Sequence, residues 1–306
     1  MGIREVTPLT ILLLASVIFG AALPSVANSA AASEGRVTIA VLDFGDSTFG
    51  REVADTFAAT LRKESEVVVI DRDQARAAAR GSEYSGSLNL SLTEARNLGA
   101  VLGCDFFVVG EAKTFRRSPS TGAIYFDSFA SLFIVSARSG RLVRWERPNF
   151  SAPTAAKAEQ ALLAYISTPL ARPLYIDSIR RAQAVERGER AVIAADEQVP
   201  LIEAAPDDDK AAAAEGLQLP RPFRRFIPPY PRAASEGEIE AIVDVLVDLD
   251  AAGEVTRVEV ERWAGFGLDE ATVETVRRMH FFPALRNGVA VPIRVLLRYN
   301  FRKPPR

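Results

Sequence analysis

Side chains that could perform catalysis are scarce in this sequence. It contains one histidine, His280, and one cysteine, Cys104. These two residues offer almost nothing for a zinc site, and no serine and aspartate pattern around His280 supports a nucleophilic triad. We interpret His280, which precedes two phenylalanines, as a helix-end residue, and Cys104, which lies just before another such pair, as a buried structural thiol. Neither residue therefore predicts a catalytic group or a metal site, and the sequence predicts no cofactor.

Three carboxylates near the ends of apolar runs are the remaining candidates for chemistry. Asp43, Asp46 and Asp105 adjoin segments that predict buried strands, and strand ends carry the active sites of many α/β proteins. A hydrolase that uses these carboxylates is therefore one hypothesis. An interpretation without any function is that Gly45, Asp46 and Gly103 are simply turn residues at the ends of buried strands. Gly45 is not followed by the GxxxxGK(S/T) pattern of a phosphate-binding loop, so the sequence does not predict nucleotide binding.

The composition favours a folded protein whose partners are recognised locally. The chain has 306 residues, of which 48% are hydrophobic, enough for about two domains of ordinary size with cores of their own. Its 37 basic and 39 acidic residues give a formal net charge of -2. Because this balance creates no overall field that would attract nucleic acid, we expect no nucleic-acid partner.

The amino terminus predicts export. No charged residue occurs between Val6 and Ser33, residues 9–23 form an apolar run, and Ser25-Val26-Ala27 places small residues where signal peptidase cleaves. We interpret residues 1–27 as a cleaved signal peptide, which predicts the periplasm as the location. The alternative is an uncleaved inner-membrane anchor, since the uncharged run is long enough to span a bilayer.

Residues 36–147 predict an α/β domain. Apolar runs at residues 37–44, 66–70 and 106–109 are typical of buried strands, and segments with helical spacing separate them. Residues 125–135 and 141–145 predict a closing hairpin. Alternating strands and helices indicate three layers. A helical segment, residues 153–198, and an exposed linker, residues 199–227, follow.

Two motifs in this domain resemble a known group of envelope domains. Residues 39–46 (IAVLDFGD) and residues 103–111 (GCDFFVVGE) are similar to strands of CsgG-like and TolB amino-terminal domains. The resemblance covers residues 36–147 and implies an α/β domain that works in the cell envelope.

The last part of the chain predicts a small α+β domain. Residues 239–250 and 254–262 form two valine-rich strands around a turn that ends at Gly253. A helix begins near Leu268, with two acidic residues in its first turn. Residues 291–301 predict a final strand, which gives the order β-β-α-β.

These residues resemble the TonB C-terminal domain over residues 228–303. The resemblance rests mostly on core and turn positions, which identify a fold but include no catalytic group. They are Tyr230, Pro231, Gly253, Val255, Leu268, Asp269, Ala271, Phe282, Pro283, Ala284, Asn287, Gly288 and Val291.

The resemblance implies that an unpaired sheet edge adds an extended segment of an outer-membrane receptor or another envelope protein. In that binding mode, main-chain hydrogen bonds give affinity and alternate side chains give specificity. We expect the final strand to be this edge, with Arg294, Arg298, Asn300 and Arg302 contacting the partner or preventing aggregation. The alternative that these four are ordinary solvated residues stays open.

Two functional hypotheses follow for the whole chain, neither of them enzymatic. The first is a TonB-like protein that binds envelope partners and transmits energy for transmembrane transport, with inner-membrane motor proteins as further partners if it is anchored. The second is a soluble periplasmic structural adaptor that takes part in envelope assembly without energy transduction. Residues 197–225, which include most of this linker, span at most about 100 Å when extended, which is short for a TonB spacer.

Overall fold

The computed structural model describes residues 36–82, 84–168, 172–195, 202–206 and 209–303. The predicted signal peptide or anchor, residues 1–27, lies outside the described residues. Arg36–Arg306 form a single unit. No helix in the described part of the chain is long and apolar enough to cross a membrane.

The first part of the chain forms a six-stranded mixed sheet. Its elements, in chain order, are β1 (Val37–Val41), α1 (Thr48–Leu61), β2 (Val67–Val69), α2 (Arg72–Gly81), α3 (Leu92–Leu102), β3 (Phe106–Arg117), β4 (Tyr125–Ser136), β5 (Leu142–Glu146), β6 (Asn149–Ala152), α4 (Ala155–Ser167) and α5 (Arg172–Ala195). The strand order is β2-β1-β3-β4-β5, with β6 paired to β4. Strand β1 is parallel to both of its neighbours, and the other pairs are antiparallel.

Two apolar cores cover the two faces of this sheet, as the three predicted layers require. On one face, α1, α4 and α5 bury side chains such as Phe57 and Tyr175, whose ring centroids lie 5.1 Å apart. On the other face, α2 and α3 pack their alanines and leucines over Phe107 and Phe133. Ser91 and Glu94 form a capping box at the start of α3, which the S-x-x-E spacing in the sequence predicts.

The second part contains the predicted β-β-α-β order with short additional strands. Its elements are α6 (Asp209–Ala214), β7 (Leu217–Gln218), β8 (Arg221–Pro222), α7 (Arg232–Gly237), β9 (Ala241–Leu249), β10 (Val255–Arg262), α8 (Leu268–Arg277), β11 (Phe281–Phe282), β12 (Ala284–Arg286), β13 (Val289–Val291) and β14 (Ile293–Phe301). The main sheet has the order β10-β9-β14, and its valine-rich face lies under α8. Strands β12 and β13 are joined through Asn287 and Gly288, both with positive φ, the geometry that this residue pair favours in a two-residue hairpin.

The two parts share one core. Trp263 is 1% exposed and stacks on Phe133 of β4 with ring centroids 5.7 Å apart. Its indole Nε1 donates a hydrogen bond of 3.0 Å to the Gly140 carbonyl. Asn89, from the loop before α3, donates to and accepts from the backbone of Ile242 in β9. The chain is therefore not two domains connected only through a flexible segment.

Residues 199–227 differ from the exposed linker that the sequence predicts. Within their described portion, β7 pairs with β12 and β8 pairs with β11. Ala212 and Leu217 are 1% and 3% exposed. These two apolar side chains join the core of the second part, which outweighs the linker-like proline and alanine content around them.

Candidate partner-binding edge

Strand β14 is an edge strand whose outward backbone is largely unpaired. It pairs with β9 from Ile293↔Leu249 to Phe301↔Ala241, and among the described residues the sheet order places no further main strand beside it. In an antiparallel pair, alternate residues direct their N–H and C=O groups toward the neighbour and away from it. The backbone N–H and C=O of Arg294 form hydrogen bonds on the side away from β9. By alternation, the backbone N–H and C=O groups of Leu296, Arg298 and Asn300 also point away from β9.

A short segment of the same chain occupies the first position of this edge. Ala205 N–H donates to the Arg294 carbonyl at 2.7 Å, and Arg294 N–H donates to the Glu203 carbonyl at 2.8 Å. The contact is a parallel bridge centred on Ala204. Glu203 also pairs with Arg286 at 2.7 Å. Beyond Arg294, no described residue hydrogen-bonds to the outward backbone of β14.

Two of the four predicted partner-contacting side chains are held by ion pairs within the sheet. The Arg294 guanidinium contacts Asp248 with two hydrogen bonds of 2.5 and 2.8 Å, and Arg298 contacts Asp244 at 2.7 and 2.9 Å. Both carboxylates are buried, and hydrogen bonding to Asp248 raises the pKa of Arg294. Because a buried carboxylate without its partner is costly, these arginines stabilise the edge strand.

Asn300 and Arg302, the other two predicted contact residues, are exposed near the end of β14. Neither makes a side-chain hydrogen bond or ion pair with another described residue. Leu296, which the sequence did not single out, is 51% exposed on the same strand. A partner can therefore reach the outward backbone of β14 from Leu296 to its end, together with the exposed side chains of Leu296, Asn300 and Arg302.

A groove of about 490 Å³ lies alongside this open part of the edge. Its lining is apolar and aromatic with two arginines, Arg225 and Arg298, and includes Pro206, Leu219, Pro220, Phe226, Leu297 and Tyr299. No carboxylate is among the described lining residues. An extended chain paired to β14 would place alternate side chains in such a groove.

None of the positions that carry the resemblance to the TonB C-terminal domain lies on β14 itself. The Tyr230 hydroxyl bonds the Ile239 carbonyl, and its ring lies 6.3 Å from that of Phe301. Pro231 precedes α7 as its N-cap residue. Leu268 and Ala284 are buried in the core. Pro283 is half-buried after β11.

Gly253 meets a steric requirement at the β9–β10 turn. Its φ is +85°, and a Cβ at this position would lie 2.0 Å from the Phe281 carbonyl oxygen. Phe282, by contrast, is mostly exposed and packs against Phe223 with tilted rings whose centroids lie 4.3 Å apart. A signature position is therefore not always a core position.

Asp269 orders the loop that carries Trp263 into the shared core. Its carboxylate accepts hydrogen bonds of 2.8 Å from both Ala264 N–H and Gly265 N–H. The sequence explained Asp269 only through the helix dipole. Trp263 and Phe266 were not identified from the sequence, although two large aromatic residues in a glycine-rich loop are the signal that could have indicated a buried loop.

Asp269 should give the protein a distinctive pH dependence. Burial raises its pKa from 3.8 to about 7, so between these values the folded protein keeps a proton that the unfolded chain loses. The free energy of unfolding of the wild type should therefore fall as pH rises from about 4 to about 7, by on the order of 1 kcal/mol per pH unit relative to Asp269→Asn. Urea unfolding of both proteins across this range measures the difference; parallel curves would contradict it.

Two of the residues considered for catalysis, Asp43 and Asp46, line one cavity of about 370 Å³, whereas Cys104 and Asp105 line a different one. Asp43 is paired with Arg72 and with Arg76, the latter at 2.8 Å, and Asp105 accepts from the backbone and hydroxyl of Thr38. Cys104 is a free thiol whose pKa burial raises to about 12, which disfavours the reactive thiolate.

His280 lies at an exposed ion pair and not beside the other candidate residues. His280 lies 2.8 Å from Glu254, and both side chains are more than half exposed. Among the described residues, no group of three or more histidine, cysteine or acidic side chains could hold a metal ion.

Comparison with known proteins gives a family-model match in the second part of the chain. Residues 227–302 match the family model described as Gram-negative bacterial TonB protein C-terminal. No curated protein sequence matches the chain.

Several solved structures are similar to parts of the chain. The TonB C-terminal domain of Pseudomonas aeruginosa has 25% identity and a TM-score of 0.25, covering 28% of this chain and 89% of that one. The lipoprotein GNA1162 from Neisseria meningitidis has 14% identity and a TM-score of 0.30, covering 44% and 99%. PelC from Paraburkholderia phytofirmans, a dodecamer, has 13% identity and a TM-score of 0.28, covering 43% and 86%. The resemblance of residues 36–147 to CsgG-like and TolB domains stays a prediction.

Proposed function

We propose, because residues 227–302 belong to the TonB C-terminal family, that this chain binds envelope proteins by adding an extended partner segment to the outward edge of β14. The family is an envelope family whose members interact with other envelope proteins. The observation that carries the proposal is the unpaired outward backbone of Leu296, Arg298 and Asn300 beside an apolar groove. The occupant is an outer-membrane receptor segment or an equivalent envelope strand, and the location is the periplasm. The chain acts by binding and not as an enzyme.

Site-specific photocrosslinking in intact cells tests this proposal. A benzoylphenylalanine placed at the exposed Asn300 should form adducts with extended segments of outer-membrane proteins, which mass spectrometry identifies as crosslinked peptides. The control position is Val185 on α5, which is 56% exposed and lies on a different element. Adducts at Asn300 that match those at Val185 would reject the proposal.

The structure also favours one of the two functional hypotheses over the other. An energy transducer needs a spacer that extends between membranes, whereas the described part of residues 199–227 pairs with the short strands β11 and β12. This pairing favours a structural adaptor that does not transmit energy. Carbonate washing of membranes provides the test: release of the chain supports the adaptor, and retention supports an anchored transducer.

The segment at residues 203–205 should compete with a partner for the first position of the edge. Replacing Ala205 with proline removes the N–H that bonds the Arg294 carbonyl, so the segment should dissociate more readily. One such hydrogen bond contributes about 0.5–1.5 kcal/mol. Amide hydrogen exchange at Arg294, whose N–H is covered by Glu203, should therefore accelerate roughly two- to tenfold.

The matched control for this variant is Ala205→Ser, which keeps the N–H and should leave the exchange rate of Arg294 unchanged. Equal rates in the proline variant, the serine variant and the wild type would mean that the bridge does not protect the edge.

A further inference from the structure

A cluster of exposed aromatic and aliphatic side chains lies beside the partner groove. Ile227 is 91% exposed, Phe223 is 60% exposed and Phe282 is 58% exposed. We refer to residues 221–227 together with Phe282 as the tip. The Phe223 and Phe282 rings touch, with centroids 4.3 Å apart, and Ile227 lies in the same short segment. Exposed apolar side chains grouped in this way mark an interaction surface.

The backbone holds these side chains outward. Strand β8 pairs with β11 through Phe281↔Pro222 and Phe282↔Arg221, and Phe223 N–H donates to the His280 carbonyl at 2.9 Å. Prolines at positions 220, 222, 228 and 229 restrict the chain on both sides. Because this framework is stiff, Phe223 and Ile227 cannot easily fold back onto the core.

The tip also concentrates positive charge. Arg221, Arg224 and Arg225 lie in it, and no acidic residue occurs between Gly216 and Ser235. None of the three forms an ion pair with a carboxylate of the described chain. The Arg224 guanidinium lies 5.4 Å from the Phe226 ring centroid. Glu254, on the neighbouring turn, is engaged by His280.

We propose that the tip docks on a bilayer that contains anionic lipids. Arginine binds phosphate oxygens with paired hydrogen bonds, and each basic residue near an anionic membrane contributes about 1 kcal/mol. Phenylalanine and isoleucine are the side chains that interfacial segments insert at the headgroup boundary.

The shape of the tip favours lipid over a protein partner. Ile227 projects almost entirely from the surface, so a protein partner would need a preformed pocket for it, while fluid acyl chains accept a protruding side chain. The tip adjoins the partner groove, which Pro222, Arg225 and Phe226 also line. The proposal goes beyond partner binding at β14 because Arg221, Phe223, Arg224 and Ile227 do not line that groove.

Vesicle sedimentation of the full chain tests the proposal. Vesicles of phosphatidylcholine mixed with phosphatidylglycerol should bind the wild type at least tenfold more tightly than phosphatidylcholine alone, a gain that salt reduces. The double variant R221E/R224E should lose this gain. The variant F223S/I227S, which keeps the charge, should also bind the mixed vesicles at least tenfold more weakly. Background binding by residues 1–35 is common to all proteins and cancels in these comparisons.

Two control variants separate the tip from other causes. R187E/R190E changes the net charge by the same amount on exposed positions of α5, and it should keep the phosphatidylglycerol-dependent gain. Leu296→Pro, which alters the β14 edge, should also keep it, so failure of strand addition does not affect this test. The proposal is overturned if R221E/R224E and R187E/R190E bind the vesicles that contain phosphatidylglycerol equally well. It is also overturned if the tip variants keep vesicle binding but lose photocrosslinks to envelope proteins, which would assign the tip to a protein partner.

Discussion

Replacing Trp263 with alanine is expected to destabilise the protein by about 3–5 kcal/mol. The indole is 1% exposed and fills the space between the two parts of the chain, where it stacks on Phe133 at 5.7 Å. Truncation removes this contact, leaves a cavity, and leaves the Gly140 carbonyl without the hydrogen bond that the indole donates. Equilibrium unfolding in urea measures the loss.

Two further variants give this measurement its controls. Trp263→Phe retains an aromatic ring against Phe133 but removes the N–H donor, so it should cost about 1–3 kcal/mol through the unsatisfied carbonyl. Phe223→Ala removes an equally apolar ring that is 60% exposed and should change stability by less than about 0.5 kcal/mol. A loss below about 1 kcal/mol for Trp263→Ala would show that the shared core does not bind the two parts together.

The second large effect concerns the partner edge. Leu296→Pro should weaken partner binding at least tenfold, because proline removes the outward N–H and its ring obstructs an added strand. The ladder with β9 uses the alternate residues of β14, so the folded state should lose less than about 1 kcal/mol. Binding of the segment identified by photocrosslinking, titrated against each variant, measures the effect.

Neighbouring substitutions distinguish the edge from general damage. Leu296→Ala shortens the same side chain but keeps the N–H, and binding should change less than threefold. Leu297→Pro removes an N–H that faces β9 and should destabilise the fold by about 3 kcal/mol or more. If Leu296→Pro and Leu296→Ala bind the partner equally, strand addition at this position is excluded.

Features encoded within a few residues could be predicted from the sequence. The capping box of Ser91 and Glu94 is present because its two hydrogen bonds span only three residues. The turn at Asn287 and Gly288 forms because both residues tolerate positive φ. The valine-rich hairpin and helix of the second part, which carry the TonB resemblance, follow from periodicity of the same local kind.

Features that depend on distant partners could not be predicted. Arg294 and Arg298 carry no local sign that Asp248 and Asp244, about fifty positions earlier, neutralise them across the sheet. Trp263 and Phe133 meet only because the β10–α8 loop docks on β4. The linker prediction for residues 199–227 missed the strand pairs of β7 and β8 for the same reason, since two-residue strands have no periodicity.

Amide hydrogen exchange at the outward positions of β14 tests the central claim most directly. With the crosslinked partner segment bound to the full chain, the amides of Leu296, Arg298 and Asn300 should exchange at least tenfold more slowly, because each would donate to the added strand. The amides of Leu297 and Tyr299, which already face β9, should change little. If binding leaves the three outward amides unprotected, the partner does not extend this sheet and the proposed function is wrong.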